Sequence, residues 1–247
     1  MLLPALPDDT FQRVLCVVAH PDDMEYGTSA AVARWADRGI DVGYLLLTRG
    51  EAGMPNPPDE TARLRLAEQQ AACALVGVEH LTVLQHPDGV LVEGLDLRRD
   101  ICREIRRFKP DAVLGMPYDI ETPMGFNQSD HRVAGVATID ALNDAGNRWI
   151  FPEQIEDEGL ETCSPRWFLM PGMAGDLDAT HGVDVSGRPV QTGVASLEAH
   201  AAYLAALPDH PAPADFIPKI LAANGKLLGV EHAVLFRARD RHAPPEF

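Results

Sequence analysis

One short stretch of the chain concentrates groups that do chemistry: His20-Pro21-Asp22-Asp23-Met24-Glu25-Tyr26-Gly27. An imidazole and three carboxyls fall within six residues. Carboxylates so close raise one another's pKa unless a positive charge joins them, and a divalent metal is the usual remedy. Two acids at a helix start can also cap its free N–H groups, a role that needs neither the imidazole nor a second acid. A second stretch, Gly125 to Gly135, carries Asp130-His131 in the first turn of a predicted helix. If both stretches lie at strand ends of one sheet, His131 faces His20 and Asp23. Two imidazoles and a carboxylate with an open position suit catalytic zinc, and the same donors accept Fe2+ or Co2+.

The elements that would position these residues alternate. Arg13 to Ala19 is a β-branched apolar run of the kind buried on both faces of a parallel sheet, and Asp41 to Thr48 is another. Short strands are predicted at Leu81 to Gln85 and Asp111 to Gly115. Helices are predicted at Thr28 to Arg38 and Asp59 to Val76, stopped by Gly39 and Gly77, and at Leu95 to Phe108 and Ser129 to Asn143. This succession implies an α/β, Rossmann-like three-layer sandwich with a mostly parallel sheet and right-handed crossovers. Ligands then gather at the carboxyl ends of the strands, where both stretches begin. The last hundred residues are less regular, with helices expected at Val190 to Ala206 and Asp215 to Leu228 and strands at Arg166 to Met170 and Ala233 to Arg237. A single domain over 1–247 is the economical reading, with a core of about 13–145 and a C-terminal covering extension of about 146–247.

Composition narrows the function. Lys+Arg 21 against Asp+Glu 37 leaves a net charge of -16, which excludes a phosphate-backbone or anionic-membrane partner. The hydrophobic share of 46% supports a sizeable core, but no window is long and apolar enough for membrane insertion. The N-terminus lacks the features of a secretory signal and the four cysteines form no C-x-x-C pair, so a cytoplasmic location is expected. No G-x-G-x-x-G follows the first strand, which argues against a dinucleotide site. Self-association into a homo-oligomer is left open by the sequence.

The blocks H-P-D-D-x-E-x-G (20–27), T-R-G-E-x-G (48–53), R-x-x-E (65–68), L-x-G-V (75–78), Asp88-Gly89 and D-H-R-x-x-G (130–135) occur in order. V-D-V at 183–185 and L-E-A-H at 197–200 follow. In this order and spacing the chain resembles the LmbE or PIG-L family of zinc-dependent N-deacetylases. The resemblance implies His20, Asp23 and His131 as zinc ligands. It implies Asp22 as the general base that takes a proton from water activated by the metal. Zinc would then stabilise the oxyanion at the amide carbonyl. Glu25 is expected as a supporting or cap residue. Arg49, Arg65 and Asp88 are candidate substrate contacts, with an ion pair to Glu68 or another buried acid an equal reading for Arg65.

Many family members carry a His three residues before the ligand His, held by the intervening acid, which here is Asp130. Gln128 occupies that place; it can donate a hydrogen bond to an oxyanion but cannot deliver a proton at neutral pH. The acid role then falls to protonated Asp22 or to another imidazole among His86, His181 and His200, of which His200 is preferred. The expected reaction is removal of an N-acyl group, acetyl first, from a small amino sugar or its conjugate. Two alternatives stand beside it: an amidase for a non-sugar amide, and a catalytically weakened metal-binding member. The loops 54–58 and 116–124 would decide the substrate.

Overall fold

The computed structural model describes residues 2–123, 125–175 and 178–244. Met124, in the second of those loops, lies outside them. Strand β1 (Arg13–Val18) is buried over five of its six residues, as a central parallel strand must be. It pairs in parallel with β2 (Asp41–Leu46) on one side and β4 (Ala112–Leu114) on the other, and β3 (His80–Val83) lies outside β2. The crossovers are helices α1 (Ser29–Asp37), α2 (Pro58–Val76) and α3 (Leu95–Phe108), and α4 (Ser129–Ala145) follows β4. α1 and α2 pack with each other, whereas α3 packs with α4, so helices flank the sheet.

The chain therefore builds outward from β1 to β3, then crosses back to lay β4 on the free side of β1. That reversal is a topological switch point, and a crevice opens outside the carboxyl ends of the two strands that flank it. His20 follows one of those strands and the 116–131 segment follows the other.

Helices of the C-terminal third pack against α1 and α2, and its strands continue the sheet. Of its strands, β7 (Trp167–Gly172) pairs in parallel with β4, and the eight-residue β9 (Ala233–Asp240) runs antiparallel between β7 and β8 (His181–Asp184). The order is β3-β2-β1-β4-β7-β9-β8. β8 reads HGVD, without a β-branched run, and is recruited by its pairing with β9 rather than by its own pattern. Two further strands escape sequence reading: Glu121–Thr122 (β5) and Gly125–Phe126 (β6) form a small hairpin after β4.

One expectation is corrected. The single helix over 190–206 is two, α6 (Arg188–Glu198) and α7 (Ala201–Ala206), broken at His200 with φ -82 and ψ 47. No Gly or Pro marks the break. His200 turns fully inside, and the Ala202 N–H freed by the break donates to Glu68. A short helix α5 (Glu153–Glu156) and a long one, α8 (Pro213–Leu228), complete the elements used below.

Candidate metal centre and active site

The end of β1 is held by the Thr48-Arg49-Gly50 turn, where the Thr48 N–H and hydroxyl both donate to the Ala19 carbonyl at 3.0 and 2.9 Å. His20 emerges from it 6% exposed. Its backbone N–H donates to Asp23 Oδ2 at 2.8 Å, closing a tight turn that brings the carboxylate back over the strand end. His20 Nε2 lies 3.0 Å from Asp88 Oδ1 and 3.3 Å from Asp130 Oδ2. Across the switch point, the first turn of α4 brings His131 Nε2 to 3.1 Å from Asp23 Oδ1, and the two imidazole rings stand 5.3 Å apart. α4 is pinned close to the loop after β4 by Gly135, since a Cβ there would sit 2.4 Å from the Met116 carbonyl oxygen.

Among the described residues, two sets of three side chains offer ligand atoms within 4.8 Å of one another: His20, Asp23 and His131, and His20, Asp88 and Asp130. Hydrogen bonds separate them. Asp130 already accepts the N–H groups of Gly89 and Leu91 at 2.7 and 3.1 Å, and Asp88 accepts that of Ala52 at 2.7 Å. These two acids are satisfied by the protein and grip one side of the His20 ring. Among the described residues, the Asp23 carboxylate is met by the His20 N–H and by the two imidazoles. The donor set of Asp23 with His20 and His131 thus fits a divalent cation such as zinc, with carboxylates fixing the ring of a ligand histidine. Without a cation, positive charge comes from a proton. Burial works against charging His20, but the Asp23 and Asp88 carboxylates outweigh it and push its pKa up to about 11. Burial also opposes ionising Asp23, yet His131 and His20 hold its carboxyl well below the usual range.

Asp22 sits in the left-handed region at φ 79, strained for a residue with a side chain, though Asp tolerates it better than most. The turn throws its carboxylate away from Asp23 and onto Arg65, whose Nη2 donates to Asp22 Oδ1 at 2.8 Å and to the Pro21 carbonyl at 2.6 Å. Arg65 Nη1 donates to the Gly50 carbonyl at 3.2 Å, and a Cβ on Gly50 would lie 2.2 Å from that nitrogen. The guanidinium stacks over Tyr203 at 4.0 Å. Arg65 forms an ion pair with Asp22 and also lines the cavity described below. Burial raises the Asp22 pKa, Arg65 lowers it and Asp23 raises it again, leaving it at about 7.

These groups line a cavity of about 670 Å3 that opens at the switch point. Gln128 lines it too, exposed at the N-cap of α4. Arg49 and His200 do not. The Arg49 side chain turns to Glu51, with Nε 4.0 Å from its carboxylate. His200 is fully buried behind the site, with Nε2 3.9 Å from Glu25 Oε2 and neither ring nitrogen hydrogen-bonded among the described residues. Burial, followed by the Arg65 charge, lowers its pKa to about 4. His86 pairs with Asp100 at 3.0 Å, and His181 Nδ1 lies 2.9 Å from the Thr180 hydroxyl.

Gln69 was not anticipated. It is 1% exposed and bridges the floor, accepting the Asp22 N–H at 2.9 Å while its amide donates to Glu25 Oε1 at 3.2 Å. The signal was available: Arg65 and Gln69 are four apart, so they share one helix face with the apolar Ala72, Cys73 and Val76. Tyr203, brought in from α7, carried no such signal.

A model of the PIG-L family, described as GlcNAc-PI de-N-acetylase, matches residues 15–142. The chain is 33% identical to a diacetylchitobiose deacetylase of Thermococcus kodakarensis over 57% of this chain and 52% of that relative, so it spans about half the relative's length. It is 27% identical to a 1D-myo-inositol 2-acetamido-2-deoxy-alpha-D-glucopyranoside deacetylase of Rhodococcus erythropolis, over 91% of this chain and 90% of that one. Among solved structures, N,N'-diacetylchitobiose deacetylase from Pyrococcus horikoshii superposes with a TM-score of 0.80 at 23% identity, covering 95% of this chain and 86% of that one, a likeness of fold.

Proposed function

The chain belongs to the PIG-L family of GlcNAc-PI de-N-acetylases, and from that premise we propose that it is a metal-dependent hydrolase of the N-acetyl amide of a small amino sugar or its conjugate. The observation that carries this reading is the convergence of His20, Asp23 and His131 on the cavity floor with Asp22 beside them. We assign zinc to those three side chains, with Fe2+ or Co2+ able to replace it. A divalent cation there supplies a Lewis acid toward the amide carbonyl and toward water.

The remaining work falls to the chain's own residues. Asp22 takes the proton of the attacking water. Arg65 holds the carboxylate in place through Oδ1, leaving Oδ2 for the proton. Gln128 donates its amide N–H to the oxyanion. His200 is walled off from the cavity, so Asp22 also returns the proton to the leaving amine. Water adds to the acyl carbon, the C–N bond breaks, and acetate and a free amine leave. Asp88 and Asp130 act through His20, fixing its ring. A small-molecule substrate and a cytoplasmic location complete the proposal; no helix among the described residues is long and apolar enough to cross a membrane.

The test is acetate release from N-acetylated amino sugars by the zinc-loaded protein and by Asp22→Asn. The variant should bind zinc and lose roughly 100-fold or more in kcat, the scale of general base catalysis. Undiminished turnover sinks the role of Asp22. Zinc binding without release from any compound would favour the catalytically weakened alternative that Gln128 raises.

A further inference from the structure

The cavity is larger than one acetamido sugar needs, being in the range that encloses drug-sized ligands. Its residues grade from buried at the floor to exposed at the mouth, and the mouth has two properties that the hydrolytic chemistry does not use.

The first is charge. Among the described lining residues, Arg237 is the only cation at the mouth, and Asp119 engages it through both guanidinium Nη atoms, with Asp178 3.6 Å away. Glu121 on the hairpin adds a third carboxylate. Three acids against one guanidinium leave a negative rim, and the low-dielectric walls of a cleft focus that field inward.

The second is a pair of apolar surfaces. Phe126, at the end of the β5–β6 hairpin, is 86% exposed, an aromatic ring that folding does not explain. Tyr26 and Phe216, also in the lining, stack with 26° between their planes and centroids 6.1 Å apart. Aromatic faces of this kind bind flat, weakly polar groups.

Together these observations carry one inference, which rests on the amino-sugar reading and refines it. We propose that the group on the amine side of the scissile amide is uncharged and presents a flat apolar face to Phe126 and the Tyr26–Phe216 pair, and that conjugates bearing an anion at that position are rejected by the acidic rim. A second sugar ring and an aryl aglycone share this chemistry; a phosphate or carboxylate does not.

Four compounds test it: the methyl, p-nitrophenyl and 4-linked N-acetylglucosaminyl derivatives of N-acetylglucosamine, and its 1-phosphate. Their affinities are ranked by calorimetry on the zinc-loaded Asp22→Asn protein, so the ranking is read whether or not wild type releases acetate. The aryl compound or the disaccharide should bind at least tenfold more tightly than the 1-phosphate, and whichever leads identifies the source. Raising the salt concentration should narrow that gap, because the rim is exposed and screened. Phe126→Ala should lower the ratio of aryl to methyl affinity, and Glu121→Gln with Asp178→Asn, both at exposed positions, should raise affinity for the 1-phosphate by threefold or more. Equal or tighter binding of the 1-phosphate, or an aryl-to-methyl ratio unmoved by Phe126→Ala, overturns the inference. Acetate release by wild type is scored separately and decides only the hydrolase reading.

Discussion

Replacing Arg65 by Met keeps the volume on the buried face of α2 and removes the guanidinium, and its cost in the metal-free protein can be worked from the contacts. Arg65 is 2% exposed and serves three acceptors: the Pro21 carbonyl, the Gly50 carbonyl and Asp22 Oδ1. Losing Arg65 strands the buried Pro21 carbonyl at about 1–3 kcal/mol, whereas the Gly50 carbonyl keeps the Gly53 N–H at 3.2 Å, so a loss of roughly 2 kcal/mol is expected at any pH. The charged partner adds a part that depends on pH. Asp22 has a folded pKa of about 7, above its ordinary 3.8, so the stability it contributes is present at low pH and drains away as pH rises towards 7. In wild type the drain stops there, because the carboxyl ionises against Arg65. In Arg65→Met the carboxyl has lost its lowering partner, stays protonated, and the drain continues at about 1.4 kcal/mol per pH unit. Between pH 7 and 8.5 the two proteins should therefore diverge by roughly a further 2 kcal/mol. Urea unfolding of both metal-free proteins at pH 6.5, 7.5 and 8.5, followed by circular dichroism, measures this directly. A stability gap that is constant across that range, or a total loss below about 1 kcal/mol, would refute the assignment of Arg65 as the counter-charge of Asp22.

Two other consequences follow from the same geometry. Zinc needs a neutral imidazole, whereas metal-free His20 holds its proton up to about pH 11, so binding should release protons and strengthen by up to about tenfold per pH unit between 6 and 9. Calorimetry in two buffers of different ionisation heat reads the released proton, and a heat independent of buffer counts against His20 as a ligand. His200, lowered to about 4 against 6.5 in the unfolded chain, should cost the fold up to roughly 3 kcal/mol as pH falls from 6.5 towards 4, because the unfolded state takes up its proton first. His200→Gln should flatten that acid limb and keep turnover at pH 7.5; a collapse in kcat with zinc content intact would return His200 to the catalytic machinery.

How much of this was legible in the sequence depended on distance along the chain. The parallel strands around β1 were readable because burial on both faces demands continuous apolar runs, and Gly39 and Gly77 marked where helices stop. His20, Asp23 and His131 could be placed together because strand ends at a switch point gather ligands whatever the loops do. The partners of those residues were not readable. Asp88 and Asp130 both reach His20 Nε2, across 68 and 110 residues, and no local pattern reports which acid will grip which face of a ring. Arg65 was visible as a motif residue, but its ion pair with Asp22 depends on the left-handed turn at Asp22, and Asp takes up that conformation without advertising it. The helix break at His200 was hidden for a related reason: burial of one imidazole against Glu25 overrode helix propensity with no Gly or Pro to announce it.

The acidity of the chain takes on a different meaning once the floor of the cavity is laid out. Four carboxylates, Asp22, Asp23, Asp88 and Asp130, crowd together with little side-chain exposure, and such a cluster folds only if each negative charge is answered. Asp22 is answered by Arg65. Asp88 and Asp130 are answered by backbone N–H groups and by the His20 ring. Asp23 is answered by two imidazoles, and in the metal-free protein this requires His20 to keep a proton far above its ordinary range. In the site proposed above, a divalent cation would compete with that proton for His20. Such a cation, held by His20, Asp23 and His131, would bring more positive charge to the site than the proton does. On the proposed reading, the residues that make the metal-free floor tolerable also hold the metal, and the competition between proton and metal for His20 is the property that most directly separates a metal centre from a structural cluster of acids.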